Sequence, residues 1–222
     1  MSHTVALVPI RSLQGGKTRL SGMFDPEQRS RLVLRMADRL IEVIARSGIA
    51  NRIVILTSDA NLRDLMARGI ATALPDVPPG LNAAIDFGRR YALDLGAERL
   101  LVVFPDLPEV SESDLREIDR SHSPVTIIPD RQREGTNALL LAGRQTLETF
   151  EFAYGPGSLA LHQQAASRIG ASVVVQAIPG MAIDLDTPAD WQDLAPATRQ
   201  WLLEPLALTR SPEVPLVALE HS

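Results

Sequence analysis

Residues 5–20 read VALVPIRSLQGGKTRL, a short apolar run that passes straight into a loop of glycines and cations. Val5, Ala6, Leu7, Val8 and Ile10 show no polar alternation, the pattern of a strand covered on both faces. Gly15, Gly16, Lys17, Thr18 and Arg19 follow. Permissive backbone, a hydroxyl and two cations can bring N–H groups and positive charge to a phosphate. A Walker A loop would need a glycine five residues before Gly16, and Arg11 stands there. The stretch predicts a strand leading into an anion-binding turn without a P-loop. Taken alone, it reads equally well as a solvated basic turn.

Outward from this strand, apolar runs at 52–57, 99–104, 125–129, 137–142 and 172–177 read as further strands. Between them lie amphipathic stretches. Residues 26–47 read as a long helix, with Asp25 as cap, Pro26 in the first turn and Gly48 at the end. Further helices are expected at 60–68, 82–95, 112–120, 158–169 and 188–194. Such alternation predicts a three-layer α/β/α fold around a mostly parallel sheet, whose ligands sit beyond the carboxyl ends of the strands.

The 222 residues suit one domain over 1–200. A tail at 201–222 follows, carrying Pro205, Pro212 and Pro215 among apolar residues; it packs on the domain, offers a surface for a homodimer or stays partly disordered. Hydrophobic content of 45% and charge of 22% provide a normal core. A net charge of −5 argues against a nucleic-acid partner, although not against one anion in a local basic pocket. The absence of cysteine rules out thiolate chemistry and cysteine-ligated zinc. No apolar stretch nears the roughly 20 residues that span a bilayer, and no signal-peptide pattern opens the chain. The expectation is a cytoplasmic protein with no membrane partner.

Four loops could carry chemistry. Pro105-Asp106-Leu107-Pro108 stiffens one carboxylate at a strand's carboxyl end, where an ordinary turn aspartate would also fit. In Ile183-Asp184-Leu185-Asp186-Thr187-Pro188, extended backbone would project Asp184 and Asp186 to the same side. Thr187, Pro188 and Asp190 can cap the next helix between them, leaving both carboxylates without a local structural duty. Paired like charges call for a cation, and magnesium suits, since it takes one or two carboxylates and fills its shell with water and phosphate oxygens. Gly135-Thr136-Asn137 and Tyr154-Gly155-Pro156-Gly157-Ser158 form the third element, the latter opening a helix whose N–H groups could receive an anion. His162, one turn on, could face the ligand but reads better as a satisfied surface histidine. The fourth is Pro78-Pro79-Gly80-Leu81-Asn82, where Asn82 can cap the next helix or read a base edge. Thr57-Ser58-Asp59 is open between cap and ligand contact.

In order along the chain, VPIRSLQGGKTRL, PPGLNAA, FPDLP, REGTNALLL, YGPGS and IDLDTP resemble the guanylyltransferases that activate small phosphorylated three-carbon acids. These include the phosphoenolpyruvate and 2-phospho-L-lactate guanylyltransferases of coenzyme F-420 biosynthesis. The resemblance implies a nucleotide-diphospho-sugar-transferase-like fold with one antiparallel strand. It also implies transfer of GMP from GTP with release of pyrophosphate. Pro9, Arg11, Gly15, Gly16, Lys17, Gly80, Leu81 and Asn82 would then bind the nucleotide, with Lys17, Arg19 and Asp106 catalytic. Asp106, Asp184 and Asp186 would hold Mg2+, and Thr136, Gly155 and Ser158 the acid. The stretch 143–153 is a few residues longer than the family pattern. Rival readings are a 3-phospho-D-glycerate enzyme, a nucleotidyltransferase using another nucleotide or sugar phosphate, and a nucleotide-binding regulatory domain. A dehydrogenase is disfavoured because no GxGxxG follows the first strand.

Overall fold

A computed structural model describes residues 3–10, 17–59, 70–74 and 77–204. The expected helix at 60–68, the loop residues Arg11, Gly15 and Gly16, and the tail from 205 lie outside the described residues. Seven strands form one sheet: β1 (Thr4–Pro9), β2 (Arg52–Leu56), β3 (Thr72–Ala73), β4 (Arg99–Val103), β5 (Val125–Pro129), β6 (Thr136–Ala142) and β7 (Val173–Val175). Their order is β3-β2-β1-β4-β6-β5-β7, and only β6 runs against the others.

Every residue of β1 is buried, because the strands alternate between two cores. Ala6, Val8, Ile53, Ile55, Leu101, Val103, Ile128, Ala138 and Leu140 face one of them. There they meet Ala37, Leu40, Ile41 and Ile44 of α1 (Pro26–Ser47) and Leu115 and Ile118 of α2 (Glu112–Asp119), which follows the helix αN (Leu81–Asp94) in the chain. Val5, Leu7, Val54, Leu56, Leu100, Val102, Val125, Ile127, Leu139 and Leu141 face the other, against Ala84, Ile85 and Ala92 of αN. That second core also takes Leu147 of α3 (Arg144–Thr149) and Leu159, Ala165 and Ala166 of α4 (Ser158–Arg168). With water excluded from both faces, each fully buried Leu, Ile or Val contributes about 1.5–3 kcal/mol, so the strands read as unbroken apolar runs. Gly88 lets αN lie close to the sheet: a Cβ there would stand 2.8 Å from a Leu56 methyl group.

Local signals set the helix ends. The Asp25 side chain accepts from the Gln28 N–H at 2.8 Å, the Gln28 side chain accepts from the Asp25 N–H, and Gly48 closes α1 at φ 74°. Thr187 and Asp190 form the expected capping box of α5 (Pro188–Asp193). The helices expected at 82–95, 112–120, 158–169 and 188–194 form with each end within one residue. Among the described residues, the sequence does not signal the two-residue β3, α3 within the long 143–153 stretch, the short 3-10 turns Thr18–Leu20 and Pro179–Met181, or α6 (Pro196–Leu203), which runs through the expected domain boundary at 200. Strand β7 is shorter than expected.

The topology fixes where a site can lie. From β1 the chain moves outward to β2 and β3, then returns to β4 on the opposite flank of β1. The carboxyl ends of β1 and β4 therefore meet at a topological switch point. Antiparallel β6 starts where β4 ends, with Val103 opposite Ala138 and the Phe104 N–H donating to the Asn137 carbonyl. A register shift in β5 sets Pro129 opposite Thr136. One reversed strand thus brings Gly135 and the start of β6 to the end of the sheet that holds Pro9, residues 17–19 and residues 104–108.

Candidate active site

A cavity of about 640 Å³ opens at that end of the sheet. Pro9, Lys17, Arg19, Leu81, Asp106, Thr136, Gly155, Ser158, Asp184 and Asp186 all line it. Six separate segments of the sequence are brought together. Gly80 and Asn82 do not line the cavity.

Lys17 is the centre of its acidic side. Its backbone is left-handed at φ 52° and ψ 40°, a conformation that costs a residue with a Cβ about 1–2 kcal/mol. The ammonium donates to Asp106 Oδ2 at 2.9 Å and to Asp186 Oδ1 at 2.6 Å. Burial alone would lower the pKa of this ammonium. The charges and hydrogen bonds of the two carboxylates outweigh burial and leave it above its ordinary value.

Two devices hold the carboxylates. The Leu185 N–H donates to the Asp106 carbonyl at 2.9 Å, which stitches the two acidic loops together. Leu185 itself is buried against Leu20, Phe24, Leu32, Met36 and Trp191, so the residues on either side of it, Asp184 and Asp186, line the cavity as extended backbone requires. The Asp184 carboxyl is pushed up to about 6, first by burial and then by the charge of Asp106, with Asp186 adding to it. Its own backbone N–H and Lys17 pull in the opposite direction.

Among the described residues, no three His, Cys, Asp or Glu side chains close around one point as a ready metal cage. Magnesium does not need one, since it binds through one or two carboxylates plus water and phosphate oxygens. The charge balance fits such an ion. Among the described lining residues, Lys17 and Arg19 face Asp106, Asp130, Asp184 and Asp186. Two unit charges 4 Å apart interact by about 4 kcal/mol near a protein surface. Among the described residues, a polyphosphate entering this cavity thus meets more negative than positive charge unless a divalent cation enters with it.

The opposite side is built mainly from uncharged residues, with the Asp130 carboxylate at its edge. Thr136, Asn137 and Ser158 are buried at the cavity's edge. Gly157, at φ 72°, caps α4, rather than Ser158. The expected array of open N–H groups at this helix start is partly used within the protein. The Ser158 N–H donates to the Gly155 carbonyl and the Leu159 N–H to the Glu134 carbonyl. Asp130 accepts from the Glu134 and Gly135 N–H groups at 2.8 and 2.9 Å. Gly135 is required there, since a Cβ would stand 2.8 Å from Asp130 Oδ2.

Two sequence expectations are corrected. Asn82 does not cap αN, which Gly80 does at φ 91°. Its amide is instead held at both ends by Tyr154, accepting from the Tyr154 N–H at 2.8 Å and donating to the Tyr154 carbonyl at 3.0 Å. His162 is not a surface residue: it is 0% exposed, with Nδ1 3.0 Å from Thr136 Oγ1 and Nε2 accepting from the Ala153 N–H at 3.1 Å. The apolar spacing of Leu159, Ala165 and Ala166 was the signal for that face, since His162 falls among them. Thr57 forms a local turn, its hydroxyl accepting from the Asp59 N–H at 3.2 Å. Sequence reasoning also passed over Asp130 and Phe104 in the lining; Asp130 directly follows β5 at its carboxyl end, which was the available clue.

The family model for guanylyl transferase CofC like proteins matches residues 4–196. The chain belongs to this family. It is 39% identical over 188 residues to the phosphoenolpyruvate guanylyltransferase of Rubrobacter xylanophilus, covering 83% of this chain and 90% of that one. It is 32% identical over 194 residues to the enzyme of the same name from Sphaerobacter thermophilus, covering 86% and 92%. Among solved structures, a nucleotidyl transferase from Methanothermobacter thermautotroptrophicus has the same fold, with a TM-score of 0.61 at 16% identity, covering 91% of this chain and 99% of that one. A Mycobacterium tuberculosis protein solved as a complex with manganese gives 0.53 at 15% identity, covering 86% and 97%. The family makes this chain a guanylyltransferase, an enzyme that uses a nucleotide co-substrate. Among the described residues, no helix is long and apolar enough to cross a membrane.

Proposed function

We propose that this chain transfers GMP from GTP to a small phosphorylated three-carbon acid, phosphoenolpyruvate foremost and 2-phospho-L-lactate next, releasing pyrophosphate. The observation that carries the reading is the two-sided cavity: carboxylates around Lys17 on one side, the buried hydroxyl residues Thr136 and Ser158 on the other. Relatives named for phosphoenolpyruvate support the choice of acid. The proposed place of the reaction is coenzyme F-420 biosynthesis.

A phosphate oxygen of the acid attacks the α-phosphorus of GTP. The new P–O bond forms as the bond from the α-phosphorus to its bridging oxygen breaks, and pyrophosphate carries away that electron pair. A phosphate monoester with a second pKa near about 6 is already largely dianionic at neutral pH, so the residues need supply no general base. Their work is positioning and charge neutralisation. Lys17 and Arg19 face the transferring phosphates, and Pro9 and Leu81 border the nucleotide. Asn82 acts through the Tyr154 loop that it holds. Thr136, Gly155 and Ser158 receive the acid. Asp106, with Asp184 and Asp186, would hold Mg2+, which supplies charge neutralisation between the two anions when bound; the neighbour solved with manganese supports a divalent ion in this fold.

The test is pyrophosphate release from GTP and Mg2+ with each acid in turn. Release is expected only when a phosphorylated three-carbon acid is present, and mass spectrometry of the product identifies the acid. A screen of phosphoenolpyruvate, 2-phospho-L-lactate and 3-phospho-D-glycerate that gives no product would overturn the reading. Thermal shifts with GTP, CTP and ATP check the nucleotide.

A further inference from the structure

We infer that His162 is a positioning residue that turns the Thr136 hydroxyl into a donor aimed at the acid's phosphate. The inference rests on the reading of Thr136 as a contact to that acid. A backbone N–H can only donate, so the 3.1 Å contact from the Ala153 N–H makes Nε2 an acceptor without a proton. In the neutral ring the single N–H is then on Nδ1, and it points at Thr136 Oγ1, 3.0 Å away. The hydroxyl oxygen accepts that bond, which leaves its own proton for another acceptor. Thr136 borders the cavity, so the acceptor that suits is an anionic oxygen of a ligand there.

The surroundings favour this arrangement. The ring is fully buried, 4.5 Å from the Tyr154 ring and 5.8 Å from Phe150, and burial lowers its pKa to about 4, so it stays neutral at working pH. The Ser158 and Leu159 N–H groups are already bonded within the protein, which raises the weight carried by side-chain hydroxyls. The same ring also ties β6 to residue 153, two before Gly155. One buried histidine thereby links the two segments assigned to the acid.

Two variants separate this role from simple packing. In His162→Asn the amide nitrogen can replace Nδ1 as donor to Thr136, while the acceptor for Ala153 is lost. In His162→Gln the side-chain oxygen can replace Nε2 as acceptor, while the donor to Thr136 is lost. The expected result is a crossing: Asn lowers the melting temperature more than Gln does, yet Gln raises the KM for the acid about tenfold or more and Asn raises it little. The KM for GTP stays near wild type in both. If the KM for the acid instead follows the loss of melting temperature across the pair, the histidine only packs and the inference fails. Nitrogen-15 NMR of the histidine-labelled wild type gives an independent reading: the proton is expected on Nδ1, and a proton on Nε2 overturns the inference. Should neither acid be turned over, the proposed function fails by itself, and the affinity of inorganic phosphate for wild type and the two variants then decides this inference by the same order.

Discussion

On one side of the cavity Asp106, Asp184 and Asp186 crowd around a single ammonium; on the other, Thr136, Ser158 and His162 carry no formal charge at neutral pH. In the proposed reaction both sides handle anions, and they do it by opposite means. The acidic side is incomplete in charge and calls on a cation, so its strength depends on ions in solution. On the other side the hydroxyl donors are oriented by buried hydrogen bonds, which salt screens far less, and the Asp130 carboxylate is already held by the Glu134 and Gly135 N–H groups. An enzyme that must hold two polyanions together gains by not relying on one mechanism for both.

The comparison is broken most severely on the acidic side. Asp106→Asn is expected to lower turnover about a thousandfold or more while leaving circular dichroism and the melting temperature close to wild type. Turnover at the wild-type rate would remove Asp106 from the chemistry.

Acid should act on the neutral side through His162. Its pKa is 6.5 in the unfolded chain and about 4 in the fold, so between those values the unfolded state binds more protons. Its contribution to stability is therefore full above pH 6.5 and is lost as the pH falls toward 4, by up to about 3 kcal/mol. Denaturant unfolding of wild type and His162→Asn across that range measures it: the wild type should lose stability more steeply, and parallel curves would contradict the assignment.

Thr136→Val should weaken binding of the acid about ten- to a hundredfold, the worth of a hydrogen bond to a charged group. The KM for GTP should hardly move, and the effect should be similar at low and high salt. A loss that disappears at high salt would mean that this side too works by net charge.

The smallest effect has the opposite sign. Asp184→Asn removes one of three crowded carboxylates and should raise the melting temperature of the metal-free protein by about 2–4 °C, equivalent to about 1 kcal/mol, even as activity falls. A lower melting temperature would show that Asp184 stabilises the fold rather than serving the reaction.

Much of this molecule could be read from local chemistry. Asp25, Pro26 and Gly48 set the ends of α1 because capping is decided within a few residues, and Thr187, Pro188 and Asp190 did the same for α5. This matters for function, since it leaves Asp184 and Asp186 without a local structural duty. What escaped notice depends on contacts distant in sequence. β3 is a two-residue edge strand with no period to detect; one antiparallel strand is implied by the family resemblance, but that it is β6, which brings Thr136 to the end of β4, is a property of the whole sheet. Asn82 looked like a cap because its partner Tyr154 lies 72 positions away. His162 looked exposed because histidine usually is; its burial is made possible by a hydroxyl from β6, 26 positions away, and by one N–H from the loop just before its own helix.

The central claim is that a divalent cation joins the acidic loops when the nucleotide binds. A crystal of the wild type grown with GTP and manganese tests it directly through the anomalous signal of the metal. The account predicts one manganese bound to Asp106 and to Asp184 or Asp186 and to a phosphate oxygen, with the Lys17 ammonium on the phosphates. GTP bound in the cavity with Lys17 still bridging Asp106 and Asp186, and no metal beside them, would contradict it.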